Sequence, residues 1–258
     1  MRAFSLPTVA VLAALSTACG GATAKLKLRN DTPGAAAQGL RSAALASSAP
    51  VTPSFVGVKL LAVYLAEDVD PRSQDNVGRT SMIWVNAQCA DDISGCNVEG
   101  AAGDYPHRVS EFFDLAVGSD AVNAALNSQG RPVDPGTYRY VRMEFCKMQP
   151  GEVLAQPNVA WQTPALPARR AFAYGACGVT SRPFETPLTL AAGDAVSVTV
   201  AYDLSTAVVS GTPSYPGDVC FGAAPDWVCY ADCVDDAAGG TRTCFNPPEF
   251  TPSAAKGL

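Results

Sequence analysis

RPVDPGTYRYVRMEFC, Arg131 to Cys146, is the stretch whose reading decides the fold. Two prolines fix the backbone at its start, Gly136 turns it, and a strand follows. Val141, Met143 and Phe145 share one face of that strand, while Tyr140, Arg142 and Glu144 share the other. Successive side chains of an extended chain point to opposite sides of a sheet, so this alternation behind a Pro-Gly turn marks a half-buried strand. The strand ends on Cys146, which can staple it to a neighbour.

Composition carries the same message outward. Charged residues make up only 16 % of the 258, while Gly (22) and Pro (20) are plentiful. That balance suits short strands joined by turns better than long amphipathic helices, and the length fits one domain with attachments. The net charge of −6 is repelled by phosphate backbones and by anionic lipid, which argues against nucleic acid as a partner and against electrostatic membrane binding. Nine cysteines stand against one histidine, and none are spaced C-x2-C as in the common zinc sites. An oxidising compartment is the economical reading.

The N-terminus agrees with export. Met1–Arg2 precedes the apolar run AFSLPTVAVLAAL, Ala3 to Leu15, which has the length of a signal peptide and is short for a membrane span. LSTAC, Leu15 to Cys19, follows and resembles the lipobox of bacterial lipoproteins, with residues 1–18 removed and Cys19 carrying lipid. Leu15 stands one place earlier than the commonest leucine of that motif. The rival processing is ordinary cleavage, after Ala18 or after Ala24. Setting Cys19 aside leaves eight cysteines, Cys89, Cys96, Cys146, Cys177, Cys220, Cys229, Cys233 and Cys244, an even number suited to four disulfides. By the same resemblance, Gly20 in place of aspartate after the lipidated cysteine implies the outer membrane.

Residues 19–53 are expected to hold an edge strand at Lys25–Asn30 and then an Ala/Ser/Pro-rich spacer or surface loop. Residues 54–214 hold the core. SFVGVKLLAVYLAED, from Ser54, reads as one strand apolar on both faces. Ser81–Ala87 and Glu111–Val117 read as strands, and Gly118–Gly130 as a short helix capped by Ser119. Cys89 and Cys96 are close enough to bridge locally, and a Cys146–Cys177 bridge would clamp the central strand to the next pass of chain. Thr189–Ser210 reads as a second clear strand, with Val196, Val198, Val200 and Tyr202 on one face and Ser197, Thr199, Ala201 and Asp203 on the other. Residues 215–258 form a cysteine-rich tail, poor in apolar residues and held by bridges, whose Phe221, Trp227, Tyr230 and Phe245 either form a contact surface or cover the end of the core.

Several phrases together resemble a bacterial lipoprotein domain family of unknown function. Asp31 and Pro33 match its early motif, Asp114 and Leu115 its second, Gly136, Tyr138, Val141 and Arg142 its third, and Gly193, Asp203 and Ser205 its last. The resemblance covers Lys25 to Ser210 and implies an antiparallel prealbumin-like β-sandwich, related in shape to transthyretin and carboxypeptidase regulatory domains. With the residue patterns above, the expectation is an all-β chain of about seven strands with one short helix and a disulfide-rich tail. That family has no established activity, so the resemblance supplies fold and location only. The Ala-rich insert, the added cysteines and the tail depart from its pattern.

Residues able to carry chemistry are few. His107 stands alone beside Pro106, short of a triad or a two-histidine metal site. No nucleophile elbow, P-loop, H-E-x-x-H or dinucleotide fingerprint occurs. Glu111 with Asp114, or Asp91 with Asp92, are the carboxylate pairs a glycoside hydrolase would need. Glu67–Asn76 clusters oxygen ligands suited to calcium, without the order of an EF-hand. The tail cysteines with Asp226, Asp232, Asp235 and Asp236 would bind zinc only if reduced. No catalytic, cofactor-binding or metal-ligating residue is assigned. The expectation is a non-enzymatic envelope module, membrane-held through lipid at Cys19, that binds a protein or a glycan. An envelope-polymer hydrolase and a calcium-dependent adhesin are the alternatives.

Overall fold

The computed structural model describes residues 21–33, 48–70, 76–89, 92–98, 105–146, 157–174, 179–212, 220–221, 228–235 and 240–257. In chain order the strands are β1 (Ala22–Asn30), β2 (Ser48–Pro50), β3 (Phe55–Val58), β4 (Ala62–Val69), β5 (Asn76–Val85), β6 (Cys96–Val98), β7 (His107–Val109) and β8 (Phe113–Asp114). Helix α1 (Ser119–Leu126) follows, then β9 (Arg131–Val133), β10 (Gly136–Glu144), β11 (Val159–Gln162), β12 (Arg170–Phe172), β13 (Val179–Leu190), β14 (Ala195–Tyr202) and β15 (Val208–Gly211). The tail contributes β16 (Cys220–Phe221), β17 (Val228–Cys229), β18 (Asp232–Asp235), β19 (Arg242–Phe245) and β20 (Phe250–Lys256). The chain is all-β with one short α-helix among the described residues. The strands outnumber the expected seven because turns break the long apolar runs.

Two four-stranded sheets carry most of the core, one ordered β20-β14-β1-β9 and the other β13-β10-β4-β5. β20 lies beside β13 and β9 beside β5, so the two sheets adjoin at both margins. Leu26 and Leu28 of β1, Val196, Val198 and Val200 of β14, Val63 and Leu65 of β4, and Val141 and Met143 of β10 join one apolar cluster. Two further sheets, β12-β11-β3-β8 and β18-β19-β15-β2, extend that cluster through Trp161 and Phe245, whose rings stack 5.6 Å apart.

The alternation read in Tyr140–Phe145 holds on one side: Val141, Met143 and Phe145 are buried. On the other, Arg142 is buried as well, donating to Glu144 and to Asn76 Oδ1. Tyr138 is fully buried, its hydroxyl donating to the Asp134 carbonyl (2.7 Å) and bonded to Ser81 Oγ (2.9 Å).

Several expectations are corrected. Lys25–Asn30 is part of a longer strand: β1 pairs in parallel with β14 from Thr23 to Asn30, while only Ala22–Ala24 also pair, antiparallel, with β9. The lysines occupy its outward face. That parallel pairing, and the parallel pair β6–β7, depart from the purely antiparallel expectation. The run from Ser54 is two strands in two sheets, because the chain leaves the ladder at Lys59–Leu61, where Asn86 closes the gap by donating to the Leu60 and Leu61 carbonyls. Only Phe113–Asp114 of Glu111–Val117 is strand. Thr189–Ser210 divides into the end of β13, a turn at Ala191–Asp194, β14 and the start of β15.

Helix α1 ends at Leu126 with Asn127 in the left-handed conformation (φ 44°), before Gly130 is reached. Its N-cap is Gly118, with no side-chain cap; Ser119 serves a different partner. Beyond Ala24, no strand among the described residues pairs with the second side of β1, and α1 and the residues just after it supply side chains instead. Ser128 Oγ accepts from Leu26 N–H (3.1 Å) and Ser119 Oγ from Asn30 N–H (3.0 Å). Between them the Asn123 amide accepts from Leu28 N–H (2.9 Å) and donates to the Leu28 carbonyl (2.6 Å). The spacing of Ser119, Asn123 and Ser128 thus follows the two-residue period of the strand edge, where buried peptide groups require partners.

The tail is also corrected. Phe245 is fully buried, Tyr230 and Phe250 nearly so, and β20 pairs with β14 from Val196↔Lys256 to Tyr202↔Phe250. It is held by apolar packing and a ladder as well as by Cys233–Cys244, which join directly opposed positions of β18 and β19. Cys89 and Cys96 are joined, and Cys146 is disulfide-bonded. Cys19 and Cys177 lie outside the described residues, as do the signal segment, Asp91, Trp227 and the interior of the Ala-rich stretch. The backbones of Cys220 and Cys229 stand opposite each other in the ladder of β16 and β17. Since β1 precedes the Ala-rich stretch and β2 follows it, that stretch links two strands and does not tether the fold to its N-terminus.

Candidate functional site

The carboxylates singled out in the sequence hold backbone together. Asp114 Oδ1 accepts from Val56 N–H (3.2 Å) and Ala116 N–H (2.9 Å), fixing β8 against β3. Glu111 lines a separate 450 Å³ pocket with Trp84, Phe112 and Arg131. Asp92 accepts from Ser94 and Gly95 inside the Cys89–Cys96 loop; the Ser94 hydroxyl first, then the Gly95 N–H, hold its carboxyl below the usual range. His107 lies on β7 opposite Cys96. Within Glu67–Asn76, Glu67 accepts from Arg79 N–H, Asp68 from Val69 N–H and Asn76 from Arg142, while residues 71–75 lie outside the described residues. Among the described residues, no three His, Cys, Asp or Glu side chains are grouped to hold a metal ion.

A groove of about 990 Å³, open to solvent, lies where the ends of β1, β14 and β20 meet β13, β11 and the tail segment Asn246–Glu249. Its floor is aromatic. Phe250 stacks on Phe145 (6.1 Å) and meets Tyr202 edge-on (6.3 Å), and the Tyr202 hydroxyl donates to the Leu115 carbonyl (3.0 Å). Burial is the main cause that pushes the Tyr202 hydroxyl well above its ordinary pKa, so it stays a neutral donor.

The walls are polar. On one side Arg29 donates to both oxygens of Asp31 (2.6 and 2.8 Å); those hydrogen bonds hold the Asp31 carboxyl low and the guanidinium high. Asp203 Oδ1 accepts from Ser205 N–H (2.7 Å) and fixes the turn after β14. Arg182 on β13 and Glu249 of the tail complete the rim. Tyr174 also lines the groove, held by Asn158, which accepts from the Tyr174 N–H (2.8 Å) and donates to its carbonyl (3.3 Å). Aromatic surface below, charges of both signs around it and room for a chain are the makings of a recognition groove.

The sequence reading had not brought these residues together. Asp31, Asp203 and Ser205 belong to the phrases of the family resemblance, yet nothing in a linear pattern joins them to Tyr174 or Glu249. No family model, curated protein or solved structure matches the chain.

Proposed function

We propose that this protein is an exported, non-enzymatic binding module of a bacterial envelope, lipid-anchored at Cys19 in the outer membrane, whose groove receives a glycan or a protein. The groove is the observation that carries the reading: it is a large, open, mixed polar and aromatic surface assembled from both core and tail. The disulfides Cys89–Cys96 and Cys233–Cys244 support an oxidising compartment. The finer fold reading, a prealbumin-like sandwich of the lipoprotein family, draws support from the roles of the matching residues: Tyr138 buried on β10, Asp114 bracing β8, and Asp203 closing the turn after β14.

β1 relates the proposed anchor to the groove. Ala22 and Ala24 are fully buried, and Thr23 and Ala24 are paired on both sides, so cleavage after Ala24 would cut away part of the core, whereas processing before Cys19 spares it. Gly20 and Gly21 alone separate Cys19 from β1. The groove lies at the opposite end, by Arg29 and Asp31, about 25–30 Å away at ~3.3 Å per residue. A module anchored in this way sits close on its membrane with the groove directed outward.

Co-sedimentation of the unlipidated protein, residues 20–258, with fractionated envelope material, comparing wild type with the Arg182→Gln/Glu249→Gln double variant, tests the reading. Retention of the wild type by one fraction and its loss in the variant support it. Equal retention of the two would overturn the groove as binding site.

A further inference from the structure

We infer that the occupant of the groove is an uncharged, polyhydroxylated chain, a neutral oligosaccharide segment, with Tyr174 as its stacking platform. The inference rests on the reading of the groove as a binding site. Among the described residues only Val77 and Tyr174 are large apolar side chains left exposed, Tyr174 by 42 %. Burying such a ring is favourable, so one left open on a groove wall is available to a ligand. Tyr174 does not dangle. Asn158, itself 1 % exposed, grips the Tyr174 backbone from both sides, and Phe172 meets the ring edge-on at 6.2 Å. The electron-rich face of a fixed aromatic ring attracts the polarised C–H groups on the apolar face of a sugar.

The polar groups select the rest of the ligand. Among the described residues, the guanidinium of Arg182, the hydroxyl of Tyr174 and the carboxylate of Glu249 have no hydrogen-bond partner. They offer donors and an acceptor together. A sugar hydroxyl satisfies both, since it donates and accepts; a phosphate only accepts and an ammonium only donates. Charge points the same way. Arg29 and Arg182 face Asp31, Asp203 and Glu249, a near balance that rewards neither a polyanion nor a polycation. An extended peptide would seek a free sheet margin, yet at the groove β13 and β20 lie beside each other. At about 990 Å³ the groove has room for several sugar rings.

The test is ligand-observed NMR and calorimetric titration of the mature protein with cellohexaose, maltohexaose and chitohexaose. A heparin hexasaccharide and a neutral Ser/Thr-rich dodecapeptide form the contrasting arms. Saturable binding of at least one neutral hexaose is expected, weakened about tenfold by Tyr174→Ala and largely kept by Tyr174→Phe. Unfolding midpoints of the variants should match wild type, because the side chain is exposed. Absence of saturable binding to all three neutral hexaoses, or binding indifferent to Tyr174→Ala, would overturn the inference. Heparin or peptide bound in their place, and lost in Arg182→Gln, would also overturn it while leaving the groove a binding site. Failure of the groove reading itself is seen separately, as equal envelope retention of the double variant.

Discussion

Asp232 shows how one side chain joins the tail to the core. Its carboxylate accepts from the indole N–H of fully buried Trp161 (2.8 Å) and from two nitrogens of Arg170 (2.7 and 2.8 Å). Burial pushes the Asp232 carboxyl up, but the hydrogen bonds from Arg170 and Trp161 outweigh it and leave it below its ordinary value. A carboxyl depressed by folding contributes stability that is fully present above the unfolded pKa of about 3.9, and that is lost as pH falls through the folded value. Asp232→Asn should therefore cost about 1–3 kcal/mol near neutral pH, read as a lower urea midpoint. The gap between variant and wild type should begin to narrow below about pH 4 and close only once pH has fallen through the lower folded value, where the native carboxyl is itself protonated. A gap that widens on acidification would contradict this.

At the scale of elements, the exchange between β1 and α1 is the most instructive. Asn123→Ala removes both partners of the Leu28 peptide group and should destabilise the protein by about 1–2 kcal/mol in a urea titration. Raised hydrogen exchange at Leu28 should mark the site; unchanged stability and exchange would refute the bridging role. The same pair shows what the sequence disclosed. The alternation of Val141, Met143 and Phe145, and of Val196, Val198 and Val200, announced β10 and β14 because period-two burial is a local property. Lys25 and Lys27 read as guards of an edge, but local pattern does not show that β9 pairs with the first three residues of β1 and that Ser128, Asn123 and Ser119 meet the rest. The main partner of β1, β14, lies some 170 residues on in the chain. Nor did Leu60–Leu61 announce a break, because a run apolar on both faces offers no punctuation. The groove was least legible: Asp31, Asn158, Tyr174, Arg182, Asp203 and Glu249 come from separate segments and form no motif.

For the whole molecule, core and tail are one structure. Deleting Tyr215–Leu258 would strip β20 from β14, remove Phe245 from Trp161 and Phe250 from Phe145, and open the groove floor. We expect the truncated chain to lose near-UV circular dichroism and resistance to protease, not merely its ligand. A truncated chain that melts cooperatively at the wild-type temperature would show the tail to be an appendage. Point variants at the groove rim, which leave the core alone, are accordingly the cleaner probes of binding.

The central claim, that the groove is where this protein meets its ligand, is tested most directly by hydrogen-exchange mass spectrometry of the mature protein. The measurement is made with and without the solubilised envelope fraction that retains it. The account predicts slowed exchange at Arg170–Tyr174, at Thr180–Arg182 and at Asn246–Ser253, with the rest of the chain unchanged. Protection confined to the pocket of Trp84, Glu111 and Arg131, with the groove segments exchanging as before, would contradict it.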